Sequence, residues 1–127
     1  STEGIDVSDN ELYFVCKGIR MLYTLDLDSG NYTRASTQSG LFQGTPDQIK
    51  RIIQDENELM YFTEDDAKKA GVHARDSLGH YLTVLESPIL LGETSGLAFS
   101  PDARIMYVTY QTMGRLYAIW RRDGLPF

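Results

Sequence analysis

A motif that returns at intervals of a little over forty residues constrains this chain more than any other feature. An acidic residue heads a short apolar stretch at Glu3 (EGIDV), Asp47 (PDQIKRI) and Glu93 (ETSGLAF), and an aromatic-rich strand follows each: LYFV at 12–15, MYFT at 60–63 and MYVT at 106–109. The intervals are 44 (47 minus 3) and 46 (93 minus 47). A period in the forties with several short strands per unit is the pattern of β-propeller blades, small sheets that bury their faces against one another. The expectation is an all-β fold of about three four-stranded blades, over 1–35, 45–86 and 93–127.

Within the first unit the strands read as Ile5 to Val7, Leu12 to Lys17, Met21 to Leu27 and Asn31 to Arg34, separated by Ser8-Asp9-Asn10 and Asp28-Ser29-Gly30. Tyr, Val, Ile and Leu fill the strands; Asp, Asn, Ser and Gly fill the turns. The second unit runs through Gln48 to Ile53, Glu58 to Thr63, Val72 to Arg75 and His80 to Leu85, and its insertion DDAKKAG at 65–71 reads as a loop. The third runs through Leu97 to Phe99, Ile105 to Tyr110 and Arg115 to Arg121, and its Arg122-Asp123-Gly124 turn aligns with the earlier turns. A polar crossover at 35–44 and a second crossover at 86–92 (ESPILLG) join the units. A fourth strand is expected to begin where the chain stops, so an edge is left for another segment to cover.

Propellers close with about four to eight blades, so three make roughly half of one. The chain reads as a fragment, a processed subunit or an assembling half, completed by the remaining blades of a parent protein, by a partner chain or by a second copy. The lack of an initiator Met suits a processed or excised segment. A net charge of −6 with a pI near 4.8 argues against nucleic-acid and anionic-membrane partners, which need clustered Lys and Arg. No apolar run approaches the roughly 20 residues of a spanning helix, and the single cysteine, Cys16, forms no internal disulfide.

If the inner strands of the three units line a common channel, Glu3, Asp47 and Glu93 crowd its mouth. Carboxylates so placed repel one another unless a cation neutralises them, and Ca²⁺, a hard ion taking six to eight oxygen ligands, suits them. The three residues supply part of such a shell; the alternative is that each caps a backbone amide. Glu64, Asp65 and Asp66 read as a solvated loop rather than an outer ring of ligands. His73 and His80 flank a hairpin turn without a second pair of zinc-type ligands. Cys16 reads as a packed thiol, since no His or basic cluster accompanies it. Gln111 and Arg115, in YQTMGR, either reach the channel and bind an anion or belong to a turn closed by Gly114. Tyr13, Tyr23, Tyr61, Tyr107, Tyr117 and Trp120 recur at equivalent positions and read as packing between blades.

Several of these stretches resemble the PhoX-type alkaline phosphatase family. SGLAFSPDARIMYVTYQ resembles that family's T-G-x-x-F-S-P-D-x-x-x-L-F-V-x-x-Q motif, TPDQIKRI with LMYFTED resembles its P-D-N strand followed by an E-D pair, and STEGIDVSDNELYF resembles its E-G strand opening. The resemblance spans most of this chain but only the C-terminal part of a family member, and gluconolactonase-like six-bladed propellers share E-G and G-L-A-F-S-P-D segments. It implies a secreted or periplasmic-type propeller that uses calcium and iron for phosphoester hydrolysis, with Glu3, Asp47 and Glu93 near the metal centre. This chain departs from the family motif at Gln111-Thr112-Met113-Gly114, where the family continues Q-H-P-G, and it has Ser95 where gluconolactonase-like motifs carry Asn. Two readings follow: a part of a metallophosphatase that needs the missing blades, and a non-catalytic propeller scaffold completed by association.

Overall fold

The structure, a computed structural model, describes residues 1–38 and 41–127. Strands β1 (Thr2–Ser8), β2 (Glu11–Cys16), β3 (Met21–Asp26) and β4 (Tyr32–Ser36) form one sheet, and β5 (Thr45–Gln54), β6 (Asn57–Asp65), β7 (Gly71–Asp76) and β8 (Tyr81–Glu86) a second. A third holds β9 (Thr94–Phe99), β10 (Met106–Tyr110) and β11 (Arg115–Ile119). All pairings are antiparallel between consecutive strands. The first strands β1, β5 and β9 lie side by side in that order. This is the arrangement of propeller blades, so the all-β expectation holds.

The turn residues explain why each sheet folds back on itself. Ser8 pairs with Glu11, leaving a two-residue loop in which Asp9 and Asn10 have φ of 48° and 66°. Tight hairpins need that left-handed backbone, and Asp and Asn tolerate it. Asp26 closes the next-but-one turn with its side chain: Oδ1 accepts the N–H groups of Asp28 and Ser29, each at 2.9 Å. Asp76 does the same for Leu78 and His80 at 2.9 and 2.8 Å, so the counterpart of the Asp that opens DSLG is Asp26, two residues before the Asp of DSG.

Two cores lie between the sheets. Tyr13, Val15 and Leu22 pack on Ile49, Met60 and Phe62; Tyr61, Val72 and Ala74 pack on Met106 and Val108. The neighbours Tyr61 and Phe62 serve different cores because successive side chains of a strand point to opposite faces, and each such ring contributes about 1.5–3 kcal/mol relative to exposure. The expected packing role thus holds for Tyr13 and Tyr61. Tyr23 instead stacks on Phe14, centroids 4.9 Å apart, and Trp120 is exposed.

A polar clamp joins the first two sheets at one end of their inner strands. Asp6 Oδ1 accepts from Lys50 Nζ at 2.9 Å and Oδ2 from the Arg51 backbone N–H at 2.8 Å. Arg51 in turn holds Glu58 through Nε and Nη2 at 2.6 and 2.9 Å and lies 4.8 Å over the Tyr13 ring. Asp6→Ala strands both donors, and a loss of about 1–3 kcal/mol is expected. Urea unfolding of the variant checks this, and Asp6→Asn is expected to retain part of the loss.

The structure differs from the sequence expectations in two respects. Strands β1 and β5 start earlier than their apolar cores suggest, so Glu3 and Asp47 lie within strands. The third sheet has three strands among the described residues: after β11 the chain turns at Arg121–Gly124, and the Phe127 N–H reaches the carbonyl of Ala103 at 2.9 Å. The Phe127 ring meets Phe99 and Tyr61 at 5.8 and 6.4 Å, so apolar burial draws this segment under the sheet instead of along the β11 edge. Of the 35–44 crossover, residues 39 and 40 lie outside the described residues.

Candidate acidic site at the inner-strand ends

Each inner strand carries one extra residue against its partner near its N-terminal end. Thr2 pairs with Cys16 but Ile5 with Phe14; Pro46 pairs with Glu64 but Ile49 with Phe62; Ser95 pairs with Thr109 but Leu97 with Val108. In each case one strand advances a residue more than the other, which is a β-bulge, a device that re-aims side chains. The ladder makes Ile5, Ile49 and Leu97 equivalent. Two residues before them stand Glu3, Asp47 and Ser95, so the third unit has a hydroxyl at the position where the first two have carboxylates. Glu93 lies two residues further upstream.

The repeated Thr of MYFT and MYVT belongs to the same device. Thr63 Oγ1 accepts the N–H of Gln48, the bulged residue, at 2.8 Å. Its counterpart Thr109 stands directly beside Gly96, where a Cβ would lie 2.9 Å from Thr109 Oγ1; Gly96 has φ +43°, a conformation that favours glycine.

Asp47 is buried between the second and third sheets. Its Oδ2 accepts from Ser95 Oγ at 3.0 Å and its Oδ1 from Gln48 Nε2 at 3.3 Å. Glu93, half-buried, accepts from Gln111 Nε2 at 3.0 Å, and the Gln111 backbone N–H donates to the Glu93 carbonyl at 2.9 Å. Gly114, at φ +60°, closes the Gln111 turn, as the second reading of YQTMGR expects, and the Gln111 amide is taken up by Glu93. Glu3 is likewise half-buried and accepts from Ser1 Oγ at 2.6 Å. Lys17 reaches the same end, paired with Asp65 and 4.0 Å from Asp66.

Burial pushes the Glu93 carboxyl above its ordinary range, and the charges of Asp47, Asp66 and Glu3 push it up further, against the pull of Lys17. The three sequence-predicted carboxylates thus share one electrostatic neighbourhood. A raised folded value means that ionised Glu93 opposes folding above that value, and that the opposition fades as pH falls through it towards the unfolded value of about 4.3. Glu93→Gln is accordingly expected to raise the thermal midpoint at pH 7 and to leave it unchanged near about pH 4; melting curves at the two pH values check this.

Oxygen donors of this kind suit Ca²⁺, but among the described residues no three His, Cys, Asp or Glu side chains are gathered closely enough to hold a metal ion. What the chain presents is a partial donor set.

Glu64 is not the solvated residue its place in a charge run suggests. At 1% exposure it stands one residue before the end of β6 and faces inward, with Oε1 accepting the Gly44 N–H at 2.8 Å and Oε2 3.1 Å from His73 Nε2. His73, equally buried, has Nδ1 3.1 Å from Thr83 Oγ1 and its ring 4.5 Å from that of Phe42. The group fastens the first crossover onto the second sheet. His80 instead bonds Asp76 at 3.1 Å, so the two histidines have separate partners. Thr94 adds a second fastening: its Oγ1 accepts the Glu64 N–H at 2.9 Å and donates to the Gly71 carbonyl at 2.7 Å. Cys16 is half-buried, with Sγ 3.6 Å from Thr2 Oγ1. Sequence reasoning missed Ser95, Lys17 and the Glu64–His73 pair, because bulge register and cross-sheet partners are not local properties.

No protein-family model and no curated protein matches the chain. Among solved structures, regucalcin of Agrobacterium tumefaciens strain C58, described as a calcium-binding protein, matches with 15% sequence identity and a TM-score of 0.47, over 98% of this chain and 56% of its own. This chain thus spans little more than half the length of that structure. Likeness at this level carries nothing about individual residues or activity.

Proposed function

We propose that this chain is a segment of a larger β-propeller that contributes Glu3, Asp47 and Glu93 to a calcium site at the inner-strand ends, completed by oxygen ligands from further blades. The observation that carries the reading is Glu93, whose carboxyl is raised first by burial and then by repulsion from Asp47, Asp66 and Glu3. A divalent cation relieves that repulsion, and hard carboxylate oxygens are its preferred ligands. Ser95 holds one oxygen of Asp47 and Gln111 one of Glu93, which orients the carboxylates as outer partners do at metal sites.

The PhoX resemblance, which rests on its motifs alone, extends the proposal to phosphoester hydrolysis by the complete protein. A bound cation would there stabilise charge on the transferring group, and this chain's residues would hold and orient their carboxylates. Iron enters only through the same resemblance. Replacement of the family's His by Thr112 and the partial donor set favour a second reading for the chain by itself: a non-catalytic scaffold with structural calcium.

Isothermal titration of the full-length protein with calcium, beside its Asp47→Asn variant, tests the first step. Saturable binding weakened by the variant is expected, and no calcium-specific heat would refute it. Phosphatase assays of the full-length protein with calcium and iron test the second, where turnover abolished by a chelator is expected and its absence leaves the scaffold.

A further inference from the structure

Lys17 stands where the first sheet meets the acidic end of the inner strands. It opens a single 3-10 turn, Lys17–Ile19, between β2 and β3, and its N–H donates to the carbonyl of Ser1, two residues before Glu3, at 2.9 Å. Its ammonium crosses to the second sheet, where it pairs with Asp65 Oδ2 and lies 4.0 Å from Asp66. Asp65 is a fixed post for it. That residue faces Thr45 in the β5–β6 ladder, two residues before Asp47, and its Oδ1 accepts the Asp66 N–H at 2.6 Å.

The Lys17 side chain is 23% exposed, a depth at which salt screens a charge less than at the open surface. Its influence reaches past Asp65, because it opposes the repulsion that Asp47, Asp66 and Glu3 exert on Glu93. A compact ammonium on a flexible four-carbon stem can occupy such a place and withdraw from it without a change of backbone. Calcium brings two charges to the same carboxylates, and an ammonium already among them repels it.

We propose that Lys17 is a tethered counter-ion of the acidic end, which neutralises it in the calcium-free protein and competes with calcium for it, so that this one charge holds the affinity of the site down. The inference rests on the proposed calcium site and adds the residue that tunes it. A tie that merely joined the two sheets would act with the opposite sign, since its loss would loosen the carboxylates and weaken binding.

Isothermal titration with calcium of the full-length protein and its variants distinguishes the two. Lys17→Met, which keeps a long stem without the charge, is expected to bind on the order of tenfold more tightly at low salt, with the gain shrinking as salt is added. Lys17→Arg keeps the charge and is expected to bind as the parent does. So is Arg34→Gln, which removes one positive charge from an exposed position of β4. Affinity unchanged or lowered in Lys17→Met would overturn the inference and leave the site standing, and an equal gain in Arg34→Gln would overturn it by making net charge the cause. No calcium binding by the parent would overturn the site and the inference together.

Discussion

Replacing His73 by alanine is expected to destabilise the chain by about 3–5 kcal/mol, the largest loss from any single polar side chain here. Glu64 and His73 are both about 1% exposed and bond through Oε2 and Nε2 at 3.1 Å. Removing the imidazole leaves a buried carboxylate with only the Gly44 N–H as partner and empties the space against the Phe42 ring. Glu64→Gln keeps a side chain able to bond both Gly44 and His73, so a smaller loss of about 1–2 kcal/mol is expected. Chemical denaturation of both variants decides the matter. Equal losses would mean that a neutral amide of the same shape cannot replace the carboxylate, against the smaller loss expected for Gln.

Gly4→Ala is the second. A Cβ at Gly4 would lie 2.5 Å from the Asp47 carbonyl, 2.6 Å from the Ile49 nitrogen and 2.8 Å from the Gln48 Cα. All three are backbone atoms of the β5 bulge, and none can swing aside as a side-chain tip does. The first sheet must move away from the second, and the expected cost is about 3 kcal/mol or more, at or above the upper end for overpacking. Because the contact is made by the residues beside Glu3 and Asp47, the variant is also expected to weaken calcium binding beyond its effect on stability. Denaturation and calcium titration of the same sample separate the two effects. This close approach is the physical reason for Gly after Glu in EGIDV.

Much of the fold was legible because it is local. The aromatic-rich runs LYFV and MYFT, and the DSG and DSLG turns, report strand and hairpin through β-propensity and turn chemistry. The bulges were not legible, since an extra residue shows only in the pairing of two strands. For that reason Glu93 aligned with Glu3 and Asp47 by interval, whereas the ladder aligns Ser95 with them. Glu64 was misread for a related cause: in TEDD, a buried carboxylate partnered by His73 and two exposed-looking neighbours have the same local signature. The course of the chain after β11 was equally hidden, because Phe127 finds its partners in Phe99 and Tyr61, far away in sequence.

Open sheet faces agree with a structure that continues beyond three blades. Ile5 and Val7 of the first sheet and Leu116 of the third are more than half exposed, while the same faces are covered wherever two sheets meet. The acidic end of the inner strands has the same incomplete character, with donors present but not gathered.

Carbon-detected NMR titration of the Glu93 carboxyl, with and without calcium, tests the central claim most directly. The account predicts a carboxyl that titrates above the ordinary glutamate range in the calcium-free chain, moves down when calcium is added, and moves less in Asp47→Asn. A carboxyl that titrates in the ordinary range and ignores calcium would contradict it, and would leave the three acidic residues as separate features of a propeller scaffold.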